Sequence, residues 1–212
     1  MESYAGTHRP AAVERRARRD RLGGTEGNEA LTIAAAAMLT LLLMAEGITL
    51  LKMDTLLSVH MLIGLALIPP VVLKIATVGY RMARYYTHSR PYVEKGPPAL
   101  PLRLLAPVLV ASTIGIFITG VWLLLLGHKS DQVLLLHKAS FIVWAGCFGI
   151  HFLAYLPRVL RSLGNGWSGS RAERVPGSGL RGMLVAASLG AGVALAISLA
   201  SAISGWHGGS PG

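Results

Sequence analysis

Five stretches of nearly unbroken apolar sequence, residues 30–51, 56–80, 104–127, 133–156 and 182–204, set the pattern of the chain. Each is long enough to cross a hydrocarbon core of roughly 30 Å, which takes about twenty apolar residues in a helix. The first apolar run is too long for the core of a secretion signal, and no small-residue cleavage site follows it. The pattern predicts an all-α integral membrane protein. A four-helix bundle covers residues 30–157, and a fifth transmembrane helix covers 182–204. A basic tail (1–29), a Gly-, Ser- and Arg-rich flexible loop (158–181) and a short tail (205–212) complete the chain.

The polar connections alternate in charge. Six arginines precede the first span, and four arginines with Lys95 lie between Arg81 and Arg103. A third block holds Arg158, Arg161, Arg171, Arg174 and Arg181. The two intervening turns, 52–54 and 128–132, each hold one lysine and one aspartate. The positive-inside rule places all three basic blocks on the cytoplasmic side of the cell membrane, with the N-terminus cytoplasmic and the C-terminus external.

Composition agrees with this class. Charged residues make up 14% of the chain and hydrophobic ones 52%, with a mean hydropathy of +0.53, whereas soluble proteins carry about a quarter charged residues. The net charge of +10 lies in blocks between spans, a topology signal rather than a nucleic-acid-binding stripe. The single cysteine, Cys147, excludes an intrachain disulfide and any cysteine-built metal cluster. No phosphate-binding glycine loop, nucleotide domain or metalloprotease motif is present, so nothing in the sequence points to a self-contained enzyme.

Ionisable residues inside apolar spans are costly and mark function. His60 and Lys74 lie fourteen residues apart in the second span, and His137 and His151 fourteen apart in the fourth. That spacing is almost four helical turns, about 21 Å along the axis, and puts both members of a pair on one face. The second and fourth spans both enter from an outer turn. His60 and His137 therefore match in depth near the outer surface, and Lys74 and His151 near the inner one. Two neutral imidazoles can ligate a haem iron from opposite faces. Trp144, Gly64, Gly115, Thr119 and Gly120 are positions suited to a cofactor slot. A histidine at such a site can instead simply hydrogen-bond a neighbouring helix.

The segments HKASFIVWAGCFGIH (137–151) and HMLIGLALIPPVVLK (60–74) resemble the helix signatures of membrane-bound b-type cytochromes, the di-haem and ferric-reductase-like group. The resemblance covers roughly residues 30–157. It implies haem b held by axial His60 and His137, His151 as a ligand of an inner haem, electron exchange with quinone, and a redox partner protein. Lys74 stands where that pattern has a fourth histidine. A lysine binds iron only as the neutral amine. Its alternatives are pairing with a haem propionate or snorkelling toward Tyr80 and Arg81. The expectation is one haem at the outer pair and an inner site that is empty, altered or five-coordinate at His151, with two low-spin haems as the alternative in which Lys74 binds iron.

The rival reading is a cofactor-free transporter or assembly subunit whose His, Lys and Glu residues handle protons or ions. Glu46, near the outer end of the first span, fits a proton relay, a quinone contact or an interfacial hydrogen bond. Pro69 and Pro70 should kink the second span, and the Arg81–Tyr86 segment has the composition of a lipid interface. The fifth span carries small residues every fourth position: Gly182, Ala186, Gly190, Ala194, Ser198 and Ala202. This stripe suits close helix packing, either within the chain or in a homodimer.

Overall fold

The computed structural model describes residues 24–96, 100–164 and 177–206. Most of the basic N-terminal tail, the centre of the 158–181 loop and the last six residues lie outside the described residues. Among the described residues seven helices follow in order: α1 (Gly24–Leu50), α2 (Met53–Tyr86), α3 (Arg90–Glu94), α4 (Leu100–Leu126), α5 (Asp131–Gly164), α6 (Ser178–Ser198) and α7 (Ala200–Ser204). No strand occurs among the described residues. Five of the helices, α1, α2, α4, α5 and α6, are long and apolar enough to cross a membrane. The protein is an all-α membrane protein.

Helices outrun the apolar stretches because backbone hydrogen bonding continues into the polar flanks. α1 begins at Gly24 instead of residue 30, α2 ends at Tyr86 instead of 80, and α5 runs to Gly164. The expected 158–181 loop thus loses residues to helix at both ends. α2 passes through Pro69 and Pro70 without interruption, and Pro70 is fully buried. α4 stops at Gly127, whose φ of 71° is a left-handed C-terminal conformation that glycine adopts without a Cβ penalty.

Most large apolar side chains face outward, Leu41 at 69% and Ile142 at 70% exposed among them. Several of the buried positions are polar: Thr49, Thr77, Ser112, Thr119 and Arg181. Lipid selects for this arrangement, since its tails are as apolar as leucine and polar groups must find partners inside. The small apolar core joins Leu65 of α2, Leu124 of α4, Ala196 of α6 and Ile203 of α7.

α2 is the hub. It packs along α1 on one side and α6 on another, while α4 and α5 form a second closely packed pair that meets α2 through α4. The fifth span is therefore part of the bundle. At the Tyr80 end, aromatic and basic side chains tie the helices together. Arg84 stacks over Tyr92 and donates to the Ser89 hydroxyl at 2.8 Å; Arg103 donates to the Tyr86 hydroxyl at 2.6 Å; Lys95 pairs with Glu29. Such rings and guanidinium groups belong at a lipid–water boundary. At the other end the Trp206 indole donates to the Leu123 carbonyl at 3.0 Å, fixing the chain after α7 to α4.

The small-residue stripe does not make the α6 contact. Gly182, Ala186, Gly190, Ala194 and Ser198 are exposed, and the face turned to α2 carries Gly192 and Ala196. Steps of four residues drift about 40° each on a helix of 3.6 residues per turn, so the stripe winds away from any one neighbour. Gly192 is where the backbones meet: a Cβ there would overlap the Ala66 carbonyl oxygen and lie 3.0 Å from its carbon.

Gly192→Ala should consequently lower the stability of the purified protein by on the order of 1–3 kcal/mol, the usual range for overpacking. Gly190→Ala, with nothing within 4 Å of the added carbon, should be close to neutral. Thermal unfolding of the two variants in the same detergent checks the pair; equal midpoints would place the α2–α6 contact elsewhere.

Candidate functional site

Each of the two tight helix pairs delivers one histidine to the same place. α1 turns into α2 through Leu51 and Lys52, which brings Glu46 and Thr49 on α1 alongside His60 on α2. α4 turns into α5 through residues 127–130, which brings Thr119 on α4 alongside His137 on α5. All of these positions lie within about two turns of their helix ends. The His60 and His137 rings then meet across the two pairs, their centroids 6.4 Å apart and their planes at 87°.

The hydrogen bonds fix which nitrogen each ring presents. The Thr49 hydroxyl donates to the Glu46 backbone carbonyl at 2.6 Å, and the Thr119 hydroxyl to the Gly115 carbonyl at 2.6 Å. A hydroxyl has one proton, so each threonine oxygen can only accept from the imidazole beside it. His60 Nδ1 lies 3.2 Å from Thr49 Oγ1 and 2.8 Å from Glu46 Oε1. His137 Nδ1 lies 3.0 Å from Thr119 Oγ1 and 3.1 Å from the Ile116 carbonyl oxygen. With acceptors at every Nδ1 contact, the network assigns the proton to Nδ1 in both rings. That leaves the Nε2 lone pairs for a ligand, the usual division of labour in a metal-binding imidazole.

The glycines of α4 serve this geometry by letting the helices approach. A Cβ on Gly120 would stand 3.2 Å from His137 Cε1, and one on Gly115 2.8 Å from the Ser140 hydroxyl. Gly64 lies against the Glu46 head group, 3.6 Å from where its own Cβ would be.

At the other depth the pairing differs. Lys74 donates to the Thr32 carbonyl of α1 at 2.8 Å, not toward Tyr80 and Arg81. It belongs to a closed ring of bonds: Thr32 hydroxyl to Asn28 carbonyl, 2.7 Å; Asn28 amide to Thr77 carbonyl, 3.2 Å; Thr77 hydroxyl to Lys74 carbonyl, 2.9 Å. This ring clamps α1 to α2. His151 is half-buried, within electrostatic reach of Lys74, with its ring 4.8 Å from that of Tyr155 on its own helix. Trp144 stacks on Phe148 at 4.8 Å and 8°, the centre of an aromatic column that includes Phe141 and Phe152.

Sequence reasoning found the four ionisable residues but not the partners that orient them. Glu46 was read as a proton relay, a quinone contact or an interfacial hydrogen bond, without His60 as its partner, and Asn28, Thr32, Thr49 and Thr77 gave no signal beyond being polar in an apolar run. The donor set bears on what could bind. Among the described residues no group of three or more His, Cys, Asp or Glu could hold a bare metal ion. Two imidazoles suffice only for a metal that brings its own remaining ligands, as the iron of a macrocycle does. Two in-line bonds of about 2 Å, with roughly 1.2 Å from each nitrogen to its ring centre, separate such rings by about 6 Å. The observed 6.4 Å fits. The chain matches no protein-family model, no curated protein and no solved structure, so the reading of this site rests on its own geometry.

Proposed function

We propose that the protein is a membrane cytochrome b subunit that carries single electrons between a quinone pool and a redox partner protein. The observation that carries this reading is the His60–His137 pair, two imidazoles from separate helix pairs at ligating separation with their Nδ1 positions already engaged. When bound, haem b supplies an iron that alternates between ferric and ferrous states. The chain's own contribution is to hold it and set its surroundings. His60 and His137 would hold it; Glu46, Thr49, Thr119 and the Ile116 carbonyl fix the rings; apolar helices would keep water away. Quinone and the partner protein follow from the resemblance of residues 30–157 to b-type cytochromes.

The same reading assigns one haem per chain. Lys74 holds α1 through the Thr32 carbonyl, which leaves His151 without a second imidazole at its depth. The rival, proton or ion handling without a cofactor, is favoured by ionisable groups at both depths, Glu46 and His60 at one and Lys74 and His151 at the other. Against a continuous polar path, Leu65 and Leu67 are buried on α2 between them. The basic blocks favour a cytoplasmic N-terminus, an external C-terminus and a histidine pair toward the outer surface.

Purified protein should show a Soret band that shifts on dithionite reduction. His60→Ala and His137→Ala should each remove most of the low-spin signal while leaving membrane insertion intact, because insertion depends on the apolar spans. A colourless, fully assembled preparation, or variants that keep the wild-type spectrum, would sink the assignment.

Haem content should be one per polypeptide. Lys74→Ala should keep that haem while lowering thermal stability by about 1–2 kcal/mol, the range for an interhelical polar contact in a membrane. Two low-spin haems in the wild type, one of them lost in Lys74→Ala, would instead make the lysine a ligand.

Reporter fusions after Gly23 and Gly169 should read as cytoplasmic, and one after Gly212 as external. An external signal at Gly169 would reverse the outer and inner labels.

A further inference from the structure

The two rings have unlike partners. His137 Nδ1 faces only neutral acceptors, the Thr119 hydroxyl and the Ile116 carbonyl. His60 Nδ1 faces a carboxyl group, and Glu46 Oε1 at 2.8 Å is closer than the Thr49 oxygen at 3.2 Å. That length lies in the range of about 2.7–2.9 Å typical of a charge-assisted bond. The Glu46 side chain is only 13% exposed. Its other oxygen, Oε2, is buried and has no hydrogen-bond partner among the described residues. Among the described residues, His60 is therefore the hydrogen-bond donor at this carboxyl group. The setting is apolar, where such an interaction is screened little.

We propose that Glu46 is a positioning residue for His60, its carboxylate making His60 the more electron-donating of the two axial ligands and biasing the bound haem toward the ferric state. The inference rests on the cytochrome reading above and adds to it an asymmetry between ligands that the sequence does not reveal. Its physical basis is general: an acceptor that draws on Nδ1–H raises the basicity of Nε2, and a more basic ligand favours the more highly charged iron. The rigid placement comes from α1. Thr49, one turn from Glu46, anchors its hydroxyl on the Glu46 carbonyl and touches the same imidazole nitrogen. Gly64, beside the carboxyl group, leaves room for it.

The test is a redox titration of the haem absorption bands in full-length protein, wild type against Glu46→Gln, with one-electron mediators. Glutamine keeps the shape and an acceptor oxygen but removes the charge. At a fixed solution potential near the midpoint, the ferrous-to-ferric ratio should rise at least ten-fold, a shift of about 59 mV for one electron. Thr119→Val, which alters a neutral partner of the other ring, should move it less. Glu46→Gln with wild-type haem content and an unmoved midpoint would overturn the role. Should Glu46→Gln lose the haem, Glu46→Ala, which also removes the carboxyl group, decides the matter. An upward shift there supports the proposal, and a wild-type midpoint overturns it. A wild type that binds no haem removes the cytochrome reading and this inference together, whereas haem-loaded protein with an unmoved midpoint removes Glu46 alone.

Discussion

The hydrogen bonds at Nδ1 of His60 and His137 are the interactions from which the arrangement of the bundle's histidine-bearing half follows. An imidazole inside lipid has no water to satisfy it, so its polar atoms must find partners on neighbouring helices or the helix is penalised for carrying it. Each ring finds them on the helix immediately before its own in the chain: Glu46 and Thr49 for His60, Thr119 and the Ile116 carbonyl for His137. Short turns make those partners available at matching depth. The two rings are thereby held before they meet, and each pair of helices brings to the other a fixed imidazole rather than a free rotor. A ligand bound between them would find the geometry already set, which reduces the ordering cost of binding.

Packing supports this without a large hydrophobic core. Between membrane helices the gain comes from close van der Waals contact and polar pairing, since apolar side chains are equally well placed against lipid. The chain uses single small residues at the crossings that matter. Gly192 lets α6 lie on the Ala66 backbone, and Gly115 and Gly120 let α4 approach Ser140 and His137. Because α2 contacts α1, α4 and α6, the helix bearing His60 is held on several sides, while α5, bearing His137, depends chiefly on α4.

The two depths of the membrane are built from similar residue types for different ends. Toward the Leu51–Lys52 turn, ionisable groups converge on a pair of rings. Toward Tyr80, the ring of bonds through Asn28, Thr32, Lys74 and Thr77 closes on itself and joins α1 to α2. Lys74, donating at 2.8 Å to the Thr32 carbonyl, takes part in that clamp. The aromatic column of Phe141, Trp144, Phe148 and Phe152 runs along α5 between the two depths.

Five spans, the apolar exterior and the identity of the four ionisable intramembrane residues were legible from hydropathy and helical spacing. Both depend only on local sequence: a run of apolar residues either spans the hydrocarbon or does not, and fourteen residues on a helix cover a fixed rise. Depth matching of His60 with His137 was legible for the same reason. Which atoms the side chains meet was not. That depends on the rotation of each helix about its axis and on the choice of neighbours, and neither leaves a hydropathy signal when the surrounding lipid is as apolar as the helices themselves. So Glu46 as the partner of His60, Lys74 as a clamp on Thr32, and Gly192 rather than the four-residue stripe as the α6 contact were decided by tertiary structure alone.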